Sequence, residues 1–220
     1  MLIAISEAHM PSMTRWTNLW RELGATQCDP RLFEELIARY REPHRRYHTV
    51  QHLEECLAQL DGAHTSAEHA SEAELALWFH DAIYDTTRQD NEERSADWAR
   101  DSSLAAGVSG AAAQRVRELV MSTRHAALPA GADAQLLVDV DLSILGASAE
   151  RFDEYERQIR EEHAWVPDLL FRSERQRILE EFLARPSIFS TRTFRDRLES
   201  QARTNLARSI AALTNASSPT

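Results

Sequence analysis

LALWFHDAIY, residues 75–84, decides how the chain is read. It closes a helix expected over about 66–82. It also sets His80 and Asp81 among Leu75, Leu77, Trp78, Phe79, Ile83 and Tyr84. Burying an ionised carboxylate among apolar side chains is costly unless the charge is paired or bound to a metal. On either side, apolar residues recur at helical spacing over almost every stretch. Trp16, Leu19, Trp20 and Leu23 make one stripe over 13–23. Asp29 before Pro30 is a capping residue followed by proline at the first helical position, and Leu32, Phe33, Leu36, Ile37 and Tyr40 form the inward face behind it. Pro43 stops that helix. A third covers about 47–60, with Leu53, Cys56, Leu57 and Leu60 as its apolar face.

The polar run DTTRQD, 85–90, reads as a loop. Further helices are expected at about 91–106, 110–125, 133–145, 149–163, 168–184 and 191–213. Ser109 and Ser148 stand at starts, Gly107 and Gly146 at ends, and Pro186 breaks the chain after Arg185. Only 6 Gly and 7 Pro are present, too few turn residues for an all-β sandwich or barrel. The expected fold is all-α: a compact single-domain bundle of about nine or ten helices over 1–214, with a frayed tail at 215–220.

A chain of 220 residues suffices for one ordinary domain. Its 35 acidic and 25 basic residues give a net charge of −10, which leaves no broad basic face for extended DNA or RNA. Every basic residue is Arg, so lysine Schiff-base and P-loop lysine chemistry are excluded. Cys28 and Cys56 form no metal-spaced pair and no disulfide framework, which points to a reducing compartment. The N-terminal MLIAISEAHMPSM lacks a basic n-region, and no segment approaches the roughly 20 apolar residues of a membrane span. A cytoplasmic protein is expected, with no membrane partner; a homodimer is compatible with the sequence.

Two further motifs join His80 and Asp81. YHTVQH, 47–52, places His48 and His52 four apart, which on a helix puts both imidazoles on one face. LLVDVDLSILG, 136–146, carries Asp139 and Asp141 inside an otherwise apolar helix. Two imidazoles and two carboxylates converging on a divalent cation satisfy this electrostatics, and mixed N/O ligation suits Fe, Mn, Zn, Ni or Co better than Ca.

The order His, His-Asp, Asp on an all-helical chain resembles the HD-domain superfamily of metal-dependent phosphohydrolases, over roughly 45–146. The resemblance implies His52, His80, Asp81 and Asp141 as metal ligands, for one or two divalent ions, Mg included. His48 competes with His52, and Asp139 with Asp141. YHxxxH and Asp141-Leu142-Ser143 look like the corresponding runs of the cyclic nucleotide phosphodiesterases, similar in fold, and this favours His52 and Asp141 as ligands with His48 as general acid. The histidine that follows the HD pair in those enzymes is missing here, so cyclic nucleotides are not implied. The chain more closely resembles small predicted HD phosphohydrolases with RxYHxxxH, WFHDxxYD and NEERSA, here Arg45, Tyr47 and Asn91 to Ala96.

The expected activity is hydrolysis of a phosphate ester or anhydride of a small molecule, such as a nucleotide. Asp81 is also placed in the catalytic set, where it bridges to a second ion if one is present. Arg45, Arg124 and His125 are candidate substrate contacts, the arginines as bidentate phosphate holders. Asp85, four after Asp81, orients water if the helix continues, or else caps a loop. His125 ends a helix, where the dipole alone would suit it. His9, His44, His64, His69 and His163 read as surface residues. Two other classes compete: an HD-like di-iron oxygenase, drawing extra ligands from His48, Asp85 and His125, and a non-catalytic metal- and nucleotide-binding regulatory module.

Overall fold

The computed structural model describes residues 11–63 and 67–215. The described residues are all-helical, with ten α-helices and no strand. His9, His64, the first ten residues of the N-terminal segment and residues 216–220 of the expected tail lie outside them; Thr214 and Asn215 are helical. None of the described helices is long and apolar enough to cross a membrane. The contacts divide the chain into two compact units, Met1–Asp141 and Leu142–Thr220, where the sequence is read as one domain.

The first unit contains α1 (Met13–Glu22), α2 (Pro30–Tyr40), α3 (Val50–Asp61), α4 (Ala70–Phe79), α5 (Asn91–Ala105), α6 (Gly110–Ser122) and α7 (Ala132–Asp141). Its organising element is α4. Every side chain from Leu75 to Phe79 is fully buried, and α1, α3, α5, α6 and α7 all pack on this helix. A helix apolar on all sides has to be enclosed this way. Trp78 meets Trp16 edge-on at 5.0 Å between ring centroids, and Phe79 meets Trp98 at 5.4 Å. Asp29 and Ser109 cap α2 and α6 through their side chains. Gly107 follows α5 at φ +86°, and a Cβ there would strike the Thr26 side chain, so only glycine closes this turn.

Four helix ends around the site differ from the sequence reading. α3 begins at Val50 behind an extended Thr49, so His48 precedes the helix and does not share its face with His52. The His48 carbonyl is taken by the Arg45 guanidinium. α4 ends at Phe79, with His80 as its C-cap: the Leu77 and Trp78 carbonyls that a continuing helix would use are met by His80 Nδ1 and the Tyr40 hydroxyl, and Arg45 holds the carbonyls of Asp81 and Ala82 in the turn that follows. α6 ends at Ser122 and the chain turns through His125 at φ +53°. Beyond the unit boundary, α7 gives way to a 3₁₀ turn, Leu142–Gly146, and does not run on to 145.

The second unit contains that turn with α8 (Ala149–Glu162), α9 (Asp168–Ala184) and α10 (Arg192–Asn215). Ser148 caps α8. α10 packs on α9 and on the 3₁₀ turn. Fully buried Asn205 donates to the carbonyls of Leu145 and Ala147, each at 2.9 Å.

Candidate metal centre

His52 on the first turn of α3, His80 at the C-cap of α4, Asp81 on the turn behind it and Asp141 at the end of α7 all meet within the first unit. His52 Nε2 lies 3.0 Å from His80 Nε2, 3.4 Å from Asp81 Oδ2 and 3.4 Å from Asp141 Oδ1. His80 Nε2 lies 3.0 Å from Asp81 Oδ2 and 3.7 Å from Asp141 Oδ1. For ligands about 2.1 Å from a common ion, neighbouring ligand atoms stand about 3.0 Å apart in an octahedron and about 3.4 Å in a tetrahedron, so this spacing fits a shared cation.

The two imidazoles are 1% exposed, whereas the Asp81 and Asp141 side chains keep 18% and 15% of their surface. The cluster therefore has a dry histidine wall and a wetter carboxylate side. His80 Nδ1 stands 2.7 Å from the Leu77 carbonyl, to which it must donate. That bond leaves the Nε2 lone pair of the neutral ring aimed at the other three groups.

Desolvation is the largest single influence on each of the four and opposes charge. At Asp81 it is outweighed by the imidazoles of His80 and His48 and by hydrogen bonds from His52 and His80, which hold the carboxyl well below its ordinary range. Asp141 is likewise held low by hydrogen bonds from His125 and His52 and by the His80 charge. His52 rises well above its usual value despite burial, through Cys56, Tyr47 and the two carboxylates; His80 rises through Asp81 and Asp141. Carboxylates packed this closely hold positive charge beside them, as protons on imidazole or as a cation.

Asp141 is the aspartate that faces the cluster, and its second oxygen accepts from His125 Nε2 at 3.0 Å. Asp139 is fully buried and outside the group of ligand atoms. His48 is half-buried, with its ring centroid 5.8 Å from that of His52 and 4.2 Å from that of Tyr84. Some of the remaining expectations change. Asp85 is not one helical turn beyond Asp81: its carboxylate accepts from the Thr87 N–H and hydroxyl, an Asx turn, as the loop-capping alternative has it. Asn91 holds the Asp85 backbone and Ser95 takes the Ile83 N–H, so part of NEERSA serves to pin the loop after the HD pair. Arg45 is turned inward, with a fully buried guanidinium whose donors are taken by protein acceptors, so it offers nothing to a phosphate. Arg124 is exposed and lines a cavity of about 540 Å³ with Arg115, Leu128 and Asp133, to which the four clustered side chains do not contribute. Among the expected surface histidines, His44 is exposed, while His69 and His163 are half-buried and hydrogen-bonded to Asp133 and the Ile159 carbonyl.

One member escapes the sequence reading. Cys56 is buried on α3 with Sγ 3.7 Å from both ring nitrogens of His52. His52, Cys56, His80 and Asp141 offer ligand atoms within 4.8 Å of one another, so this buried group can hold a metal ion. The signal was the four-residue step from His52, but a cysteine on an apolar face reads as core. Comparison with family models, curated proteins and solved structures finds no match to this chain.

Proposed function

We propose that this chain is a metal-dependent phosphohydrolase of the HD type that cleaves a phosphate ester or anhydride of a small phosphorylated molecule, such as a nucleotide. One observation carries the reading: two imidazole nitrogens, each a ligand atom once deprotonated, lie 3.0 Å apart and 3.0–3.7 Å from one oxygen of each of two carboxylates, on the edge of an apolar interior. His52, His80, Asp81 and Asp141 would hold a divalent ion. Cys56 flanks the His52 ring, its sulfur equidistant from both nitrogens and so off the Nε2 axis. The partial exposure of both carboxylates supports a catalytic centre, which keeps an open position, over a closed structural one.

When bound, the ion supplies Lewis acidity toward a phosphoryl oxygen and acidifies water. The chain does the rest. Asp81 and Asp141 present their oxygens on the wetter side and orient what enters there. The buried histidine wall excludes water and strengthens every charge interaction at the centre. His48, beside the cluster and half-buried, delivers a proton to the leaving oxygen. A reducing cytoplasm goes with this reading, supported by the free thiols of Cys28 and Cys56.

The test is a phosphate-release screen over nucleotides and other small phosphoesters with Mn, Fe, Mg, Zn, Ni and Co ions. Release that needs the ion is expected, and His80→Ala and Asp81→Ala abolish both ion binding and release while far-UV helicity stays. Full ion occupancy in both variants would overturn the ligand assignment. The His125–Asp141 bond favours one second reading, a two-iron oxygenase with His125 as an added ligand. Two irons per chain with an oxygen-sensitive absorption band would select it.

A further inference from the structure

We infer that Arg45, acting through Tyr84, is a positioning residue that sets the His48 imidazole against the carboxylate side of the centre. The inference rests on the proposed role of His48 and extends it to residues that touch neither ion nor substrate.

The Arg45 side chain is wholly buried. Its guanidinium has five N–H groups in a fixed fork. Nε and one Nη2 hydrogen go to the Glu42 carboxylate at 3.2 and 3.1 Å. Nη1 donates to the carbonyls of His48 at 3.1 Å and Asp81 at 2.6 Å, and Nη2 to that of Ala82 at 3.1 Å. One planar group thus ties the segment before α3 to the turn after α4. The guanidinium also sits 5.4 Å from the Tyr84 ring centroid and 5.3 Å from that of Tyr40.

Tyr84 is the second half of the clasp. Its ring lies 4.2 Å from the His48 ring, tilted by 31°, and its carbonyl sits 2.8 Å from His44 Nε2. Residues 44, 45 and 48 therefore meet 81, 82 and 84 at the backbone and through rings. His52 and His80 are anchored elsewhere, on α3 and by the Leu77 carbonyl. Loosening the clasp moves His48 and leaves the ligand atoms of the histidines in place. Lysine keeps the charge beside Glu42 but cannot reach three carbonyls at once.

The test compares wild type, Arg45→Lys and Tyr84→Leu. The His48 ring resonance, assigned by its loss in His48→Gln, is followed by NMR in histidine-labelled protein. It is expected to move in both variants, while Co(II) equivalents match wild type in both and the visible Co(II) spectrum matches in Tyr84→Leu, which leaves the bond from Arg45 to the Asp81 carbonyl in place. Cleavage of an alkyl phosphate ester, whose leaving alkoxide needs a proton, falls about 100-fold, within the range of general-acid catalysis. Cleavage of a p-nitrophenyl ester, whose leaving group needs none, falls less than about threefold on the same argument. An unmoved His48 resonance in both variants, an altered Co(II) spectrum in Tyr84→Leu, or equal losses on the two esters would overturn the inference. A wild-type protein that binds no ion and cleaves neither ester, yet shows the moving resonance, leaves the clasp standing and removes the hydrolase reading instead.

Discussion

His125 adopts a left-handed backbone, φ +53°, that costs a non-glycine residue roughly 1 kcal/mol or more. What the turn achieves is visible in its contact: Nε2 reaches Asp141 and fixes the oxygen that does not face the histidines. Asparagine tolerates that backbone but is too short to make the bond. His125→Asn should therefore weaken ion binding about 10- to 100-fold, the range for groups that orient a ligand from behind. A Co(II) titration checks this, and an unchanged affinity means Asp141 is oriented without His125. His80, Asp81 and Asp141 stand out because each puts a polar group in an apolar run; His52 stands out by its four-residue step from His48, and the choice between those two and between Asp139 and Asp141 rests on the resemblance. The burial of Arg45 is not legible: among so many arginines, nothing local tells a buried guanidinium from a solvated one. His125 reads as a substrate contact or a residue suited to a helix dipole; its bond to Asp141 is not foreseen, since that partner lies 16 residues on in another helix.

α4 presents the centre from its last turn, so its rigidity positions His80 and Asp81. Leu77 is fully buried, and its carbonyl fixes the His80 tautomer. Leu77→Ala should cost about 2–5 kcal/mol, the usual range for a buried leucine, read from urea unfolding. A loss below about 1 kcal/mol would mean that α4 is not enclosed as described. Apolar periodicity and caps made the helices themselves readable, down to Asp29, Ser109 and Ser148. Their ends near the centre were less so. Thr49 makes no side-chain capping bond, and the Trp78 carbonyl at the end of α4 is taken by the Tyr40 hydroxyl from a distant segment. Helix ends set by tertiary hydrogen bonds leave no local mark in the sequence, which is why the sequence reading carries α4 on to 82 and leaves both positions, helical and loop-capping, open for Asp85.

With a net charge of −10, the whole chain attracts divalent cations and repels phosphorylated anions. On the proposed reading, a substrate of that kind approaches the centre only once a divalent ion has neutralised its two carboxylates. The same arrangement links the ion to protons. His52 and His80 have raised pKa values in the ion-free protein, so they carry protons to higher pH than a free imidazole. An incoming cation displaces those protons, and its affinity falls as the pH is lowered. Binding to the folded state alone also raises thermal stability, by about 2.7 kcal/mol at 100 times the dissociation constant. Calorimetric titration of chelator-stripped protein with Mn(II) or Co(II), in two buffers of different ionisation enthalpy, tests the shared-ion assignment most directly. Saturable binding with proton release is expected in wild type, and none in His80→Ala or Asp81→Ala. No binding by wild type, or undiminished binding by both variants, would contradict it.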